Sequence, residues 1–277
     1  MMKSIAELIG KELNGKKVLR RVDFNVSVVN GKVSKHYRIR SNKETIDFLI
    51  NKGAIVSMAS HIAAIDSFET IADQIKEILG VDFNFISNCV GEPVETAINN
   101  AKPGDVFLLE NIRKYDGEEK NDSEFAKKLA ALGQAYVNEA FSNSHRDHAS
   151  MASLPKLLPS AAGLDLQRDF ETLSLVMSHP KRPLVLLLGG MKTSDRLPTL
   201  ENLLKLSDFV LLGGGLANLF LKVKGFEVGQ SDNWRKDDER TARTMFLNFH
   251  DKIRLPLDAV VSRKASAAAE CVAIDKI

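Results

Sequence analysis

The chain has only two cysteines among 277 residues, Cys89 and Cys271. They lie far apart and fit no zinc, haem or CxxC spacing, which argues against a disulfide scaffold and points to a reducing compartment, the cytoplasm. Long apolar runs are missing: no stretch reaches bilayer-spanning length. The opening segment Met1–Gly15 lacks a charged region followed by an apolar one and reads as a short amphipathic helix carrying Glu7 and Glu12, so neither secretion nor membrane insertion is expected. A charge excess is missing too, since 38 Lys+Arg against 36 Asp+Glu leaves a formal net charge of +2. That balance excludes a polybasic nucleic-acid or membrane arm and an acidic tail, so any basic site must be local. There is no short-period repeat and no low-complexity segment.

What is present is 44% hydrophobic residues, in a length sufficient for two modest domains. Short apolar runs at Val18–Phe24, Ala54–Ala59, Phe83–Ile86, Val106–Leu109 and Ala135–Asn138 read as strands. Between them Lys43–Asn51, Ser67–Leu79, Glu92–Asn100 and Asp122–Leu132 carry apolar residues at helical spacing, with Gly53, Gly80 and Gly133 placed as C-caps. This βαβ rhythm predicts a mainly parallel sheet with helices on both faces. The stretch Leu154–Leu166, with two prolines and Ser160-Ala161-Ala162-Gly163, breaks it. The pattern then restarts with a helix at Arg168–Met177, a buried strand at Leu184–Leu188, a helix at Asp195–Leu206, a strand at Phe209–Leu212 and a helix at Leu216–Lys224. The fold class expected is α/β, with two doubly wound parallel-sheet (Rossmann-like) domains at 1–165 and 166–277, the second incomplete. Glycines close two successive strands, at Gly189-Gly190 and Gly213-Gly214-Gly215, where backbone N–H groups can approach an anion at a helix N-terminus.

Several residues could carry chemistry. Asp23 and Asn25 stand two apart at a strand end, so their side chains project to one side while Val22, Phe24 and Val26 pack behind, which suits hydroxyl recognition or simply a solvated edge. Arg38, Arg113 and Arg146 lie next to strand ends or in loops; singly each is a surface charge, but guanidinium forks converging on one sheet edge would trap a small phosphorylated acid. His145 and His148 form an isolated HxxH without a suitably placed Glu, which favours anion binding or hydrogen bonding over a metal, and no metal site is expected. Gly189–Arg196 is not a Walker A loop, because Met191 stands where glycine is needed, yet Lys192 still places a positive charge at a strand's carboxyl end. Gly213-Gly214-Gly215 lacks the third glycine of a dinucleotide fingerprint, Asn218 standing there, which makes a NAD-dependent dehydrogenase the poorest reading.

Taken in order, seven segments carry a resemblance: Arg21–Val26 (RVDFNV), Tyr37–Arg40 (YRIR), Ser60-His61, Glu110–Arg113 (ENIR), Glu139–Ser150 (EAF, then HRDHAS), Gly189–Arg196 (GGMKTSDR) and Gly213–Leu221 (GGGLANLFL). In this order and spacing the chain resembles the phosphoglycerate kinases from about Lys16 onward. The resemblance implies a glycolytic, cytoplasmic and monomeric phosphotransferase of two hinged domains. The first would bind 3-phosphoglycerate or 1,3-bisphosphoglycerate and the second ADP or ATP with the Mg2+ that the nucleotide carries. By matching position, Asp23 and Asn25 would hold the glycerate hydroxyl and carboxylate, and His61, Arg113, His145 and Arg146 the substrate phosphate. Arg38 and Lys192 would share the charge of the transferring phosphoryl group, with Lys192, Arg196, Gly213, Gly214 and Gly215 on the nucleotide.

The match has departures. The family's His-Leu-Gly-Arg-Pro loop reads His61-Ile62-Ala63-Ala64-Ile65, which replaces a substrate arginine by Ala64, and the segment after it is shortened to Asp66-Ser67. Ser27 replaces a proline, Glu139 an aspartate, Ser142 a glycine and Arg196 a lysine. The family's pattern continues past Ile277 into a glycine-rich phosphate loop. A non-catalytic phosphoglycerate-binding relative without a complete nucleotide site is therefore the alternative expectation.

Overall fold

The computed structural model describes residues 5–8, 13–231, 234–262 and 268–276. The N-terminal helix expected over Met1–Gly15 is seen as α1 (Ile5–Leu8), while Glu12 lies outside the described residues. The chain divides into two compact units, Met1–Leu173 and Ser174–Ile277, so the division falls eight residues or so beyond the break expected after residue 165.

The first unit is built on a six-stranded, all-parallel sheet in the order β5-β6-β4-β1-β7-β8. Its strands are β1 (Lys17–Arg21), β4 (Ile55–Ala59), β5 (Asn84–Ile86), β6 (Val106–Leu109), β7 (Ala135–Asn138) and β8 (Ser160–Ala162), and a separate hairpin pairs β2 (Ser27–Val29) with β3 (Lys32–Ser34). The helices are α2 (Tyr37–Arg40), α3 (Lys43–Asn51), α4 (Ala72–Leu79), α5 (Glu92–Asn99), α6 (Asp116–Glu119), α7 (Ser123–Ala130), α8 (Leu154–Leu157) and α9 (Leu164–Ser178), the last of which contains the division between units. Alternation along the strands produces two apolar layers. Val18, Val56, Met58, Leu108 and Val137 pack with Ile46, Leu49, Ile75 and Leu79 of α3 and α4. Leu19, Ile55, Phe107, Leu109 and Tyr136 pack with Val94, Ile98, Phe125 and Leu129 of α5 and α7. Moving outward from β1 the chain first fills one side of the sheet and then, at β7, the other. Ligands of open α/β sheets bind at the carboxyl ends of strands beside such a reversal.

Local chemistry moves several expected boundaries. The first strand stops at Arg21 rather than Phe24, because side chains take over the backbone donors: Phe24 N–H donates to Ser60 Oγ (3.0 Å) and Asn25 N–H to Asp23 Oδ1 (3.1 Å). Arg38 stands on the short helix α2 and not in a loop or strand end. Gly53 and Gly80 adopt left-handed φ of 74° and 64° as helix terminators, but Gly133 does not; a Cβ there would come within 3.1 Å of Leu19, so close packing excludes a side chain. The broken stretch before residue 166 contributes an edge strand, β8.

The second unit holds a three-stranded parallel sheet, β11-β10-β9, of β9 (Val185–Leu188), β10 (Phe209–Leu212) and β11 (Ile253–Arg254), and an antiparallel pair, β12 (Asp258–Val261) with β13 (Glu270–Ala273). Its helices α10 (Thr193–Leu206), α11 (Gly214–Val223) and α12 (Lys236–Phe249) enclose a core of Leu197, Leu200, Val210, Leu216, Phe220 and Met245. The strand at 184–188 is not buried on both sides: Leu186 and Leu188 face this core, while Leu187 is 81% exposed. The reason is that the helices of this unit's core pack on one face of its sheet. Among the described residues no helix is long and apolar enough to cross a membrane.

Candidate functional site

At the end of β1 two consecutive arginines point to opposite faces, as strand alternation requires, and both are buried. Arg20 donates through Nη2 to Glu139 Oε2 (2.7 Å) and to the Asn42 carbonyl (2.9 Å). Arg21 turns the other way, donating through Nε to Ser150 Oγ (3.0 Å), through Nη1 to the Val22 carbonyl (2.8 Å) and through Nη2 to His61 Nδ1 (3.1 Å). Guanidinium has no acceptor, so His61 Nδ1 must accept and its proton sits on Nε2. Burial, then the charges of Arg21, Arg113 and Arg146 and the neighbouring His148, push the His61 pKa down to about 3. His61 is therefore a neutral imidazole presenting an Nε2–H donor.

Beneath this pair lies Glu118, buried on α6, which accepts from Ser150 backbone N–H (2.9 Å) and Ser150 Oγ (2.6 Å) and stands 4.0 Å from Arg21 Nη2. Tyr136 of β7 fixes the same turn by donating to the Ser150 carbonyl (2.7 Å). His148 lies 3.9 Å from Glu118, and burial is the first cause of its lowered pKa. Arg113, in the turn after β6, has its Nε 3.3 Å from Glu119 Oε1 without hydrogen-bond alignment. Its own pKa is lowered first by burial, with Arg146 and Arg21 also repelling its charge. Arg146 is exposed and makes no ion pair among the described residues. Arg21, His61, Arg113, Arg146 and His148 thus share one electrostatic neighbourhood at the carboxyl edge of the sheet. His145 is exposed in the same turn as Arg146.

A second group adjoins the loop after β1. Asp23 accepts from Ser142 Oγ (2.7 Å) and pairs with Arg38 Nη1 at 3.4 Å. Arg38, with about half its side chain exposed, also donates to the Asn25 carbonyl (3.2 Å). Asn25 Oδ1 accepts from Ala63 N–H (3.0 Å), tying this loop to the one after β4. The shortened loop is itself held from below: Asn111 donates through Nδ2 to the carbonyls of Ile62 (2.9 Å) and Ile65 (3.1 Å), and Glu110 accepts from Ser67 Oγ and Phe68 N–H. Asn25, Arg38, Ala63 and Ala64 line an open cavity of about 700 Å³.

In the second unit Lys192 precedes α10, and Thr193 and Ser194 hydroxyls donate to Asp238 of α12 (3.5 and 2.7 Å). Lys192 and Arg196 are exposed. The two glycine turns pack on each other: a Cβ at Gly214 would meet Gly190 N at 3.2 Å and one at Gly215 would meet Gly190 O at 3.1 Å, whereas Gly213 faces open space. The Arg196 guanidinium is the nearest group to a Cβ built on Gly190, at 3.7 Å.

The structure thus gathers His61, Arg113 and Arg146 in one neighbourhood, and Asp23, Asn25 and Arg38 in another. Sequence reasoning missed Arg21, Glu118 and Ser150, the buried frame beneath His61. Arg21 and Ser150 do sit inside the segments that carry the family resemblance, but burial of a charged side chain has no signature in a single sequence.

The sequence model of one family, described as phosphoglycerate kinase, matches residues 8–277. The chain is similar to a phosphoglycerate kinase of Dictyoglomus turgidum, 41% identical over 284 residues, covering 99% of this chain and 72% of that protein. It is similar to another of Chelativorans sp., 42% identical over 275 residues, covering 96% and 69%. Among solved structures, the phosphoglycerate kinase of Pyrococcus horikoshii OT3 superposes with a TM-score of 0.86 at 28% identity, over 96% of this chain and 70% of that one. That of Coxiella burnetii gives 0.80 at 30% identity, over 99% and 72%.

Proposed function

The chain belongs to the phosphoglycerate kinase family, and from that premise we propose that it reversibly transfers a phosphoryl group between 1,3-bisphosphoglycerate and ADP, giving 3-phosphoglycerate and ATP in glycolysis. In the ATP-forming direction a terminal β-phosphate oxygen of ADP attacks the acyl phosphorus, the bond from phosphorus to the carboxyl oxygen breaks, and the carboxylate leaves with the electron pair. No protein nucleophile is needed; the work is positioning and charge neutralisation.

The observation that carries the reading is the neutral His61 set among Arg21, Arg113 and Arg146 at a sheet's carboxyl edge. Guanidiniums that repel one another gain when a dianion arrives, and the His61 Nε2–H adds a neutral donor. In this reading His61, Arg113, His145 and Arg146 take the 3-phosphate, and Asp23 and Asn25 the hydroxyl and carboxyl end. Arg38 and Lys192 meet the transferring phosphoryl charge, and Lys192, Arg196, Gly213, Gly214 and Gly215 serve the nucleotide phosphates. In this reading Mg2+ enters with the nucleotide, as part of that substrate. A monomeric, cytoplasmic enzyme is part of the same proposal.

The test is a coupled ATP-forming assay on the full chain beside Arg38→Ala. Turnover in the parent that is lost in the variant supports the assignment. Calorimetric heat with 3-phosphoglycerate but none with Mg-ADP would instead leave a phosphoglycerate-binding relative without catalysis.

A further inference from the structure

We propose that Lys35 is a second cation for the carboxyl end of the substrate, acting beside Arg38; the inference rests on the phosphoglycerate reading above. The cavity that Arg38 and Asn25 line is also lined by Lys35, and among the described residues Lys35 and Arg38 are its only charged groups, both positive. They are not equivalent. Arg38 is already committed to Asp23 at 3.4 Å and to the Asn25 carbonyl at 3.2 Å. Lys35 makes no ion pair or hydrogen bond to a side chain among the described residues and is exposed to the cavity's solvent. Ala63 and Ala64, which also line the cavity, supply no charge, and the Ala63 N–H is spent on Asn25 Oδ1.

The backbone singles out the same residue. Lys35 has φ of 64°, in the left-handed region that a long side chain rarely adopts. It follows β3 and precedes α2, so both its neighbours are fixed: Ser34 Oγ donates to the Ser27 carbonyl across the hairpin (3.1 Å), and His36 Nε2 lies 3.3 Å from the Val33 carbonyl. Strained positions of this kind cluster where a side chain must be aimed. An acyl phosphate or carboxylate entering this cavity would find one partly neutralised guanidinium, Arg38, and the Lys35 ammonium. Lysine suits that place as a compact point charge on a flexible stem, able to follow the charge as the phosphoryl group arrives or leaves.

The full chain, Lys35→Asn, Lys35→Gly, Lys35→Arg and Lys32→Asn are titrated calorimetrically with 3-phosphoglycerate and, separately, with Mg-ADP. Asn and Gly both accept a left-handed backbone, so the first two variants remove the charge without adding strain, and either suffices should the other fail to fold. Expected are a Kd for 3-phosphoglycerate raised about tenfold in Lys35→Asn and Lys35→Gly, near the size of one charge-assisted contact, and recovery to within about threefold in Lys35→Arg. Lys32, exposed on the neighbouring strand and outside the cavity, controls for the general field, so Lys32→Asn should bind as the parent does. Mg-ADP affinity should not change in any variant. Parent-like binding by Lys35→Asn, or equal weakening by Lys32→Asn, overturns the inference and leaves the functional reading standing. Absence of 3-phosphoglycerate heat in the parent overturns that reading and this inference together.

Discussion

Arg20 Nη2 and Glu139 Oε2 meet at 2.7 Å with neither side chain more than 1% exposed. The pair is lopsided. Glu139 is fully used, its Oε1 accepting from the Asp165 and Leu166 N–H groups at the start of α9 (2.9 Å each), whereas Arg20 Nε and Nη1 are buried without a partner among the described residues. Burial accordingly lowers the Arg20 pKa in spite of Glu139. Removing only the arginine leaves a buried carboxylate short of a counter-charge, so Arg20→Met should destabilise by about 3 kcal/mol. Arg20→Met with Glu139→Gln keeps an oxygen for the two N–H groups and no charge, and should recover most of that loss. Urea midpoints of the single and double variants check it.

Gly163 is glycine because of the same carboxylate. Its φ needs no glycine, but a Cβ there would overlap Glu139 Oε1 and Oε2, which three donors hold in place. Gly163→Ala should therefore cost about 2 kcal/mol in the parent and markedly less in a Glu139→Ala background. Additive losses in that double-mutant cycle would show that the clash is relieved elsewhere.

His61 ties stability to acid pH. Its folded pKa, about 3, lies below the ordinary 6.5, so protonation favours the unfolded chain. The contribution is complete above pH 6.5 and is lost as pH falls from 6.5 toward 3, by up to about 1.4 kcal/mol per pH unit. Unfolding at pH 7 and pH 4.5 should show the parent losing more stability than His61→Gln, whose amide oxygen can still accept from Arg21. A bound phosphate dianion opposes the loss by favouring the imidazolium.

Arg38 separates function from folding. Its side chain is about half exposed and its ion pair with Asp23, at 3.4 Å, adds little to stability. Arg38→Ala should leave the melting temperature within about 2 °C while lowering kcat by roughly 10²- to 10³-fold, the range for losing one donor to a developing charge. A matched fall in both would mean that the arginine is structural.

The strands at 106–109, 135–138 and 209–212 were legible as short apolar runs, and the helix at 43–51 because its apolar residues recur at helical spacing, with Ile46 and Leu49 buried. The hairpin of β2 and β3 is written in the sequence as well, for Asn30-Gly31, with φ of 51° and 72°, is the strongest short-range signal for such a turn. Of the site, the spacing of Asp23 and Asn25 puts both in the loop after β1, where Asp23 pairs with Arg38 and Asn25 accepts from Ala63 N–H. The frame under His61 was not legible, because Arg21, Glu118 and Ser150 come together from three elements through buried charge, which residue patterns along the chain do not encode.

The glycines after β10 permit a test of which of them serve packing and which serve a ligand. Gly214 has φ of 57° and would place a Cβ 3.2 Å from Gly190 N, while a Cβ on Gly215 would lie 3.1 Å from Gly190 O. Both contacts are to backbone, which cannot swing aside, so Gly214→Ala and Gly215→Ala should each destabilise the second unit by about 1 to 3 kcal/mol. Gly213 has an extended backbone, φ −137°, and open space around its Cα. Gly213→Ala should therefore leave stability unchanged, and any rise in the Kd for Mg-ADP in that variant reports contact with the nucleotide itself. The 3-phosphoglycerate affinity of all three should stay at the parent value, since the residues assigned to that ligand lie in the first unit. Parent-like nucleotide binding by Gly213→Ala would restrict these glycines to joining one turn to the other.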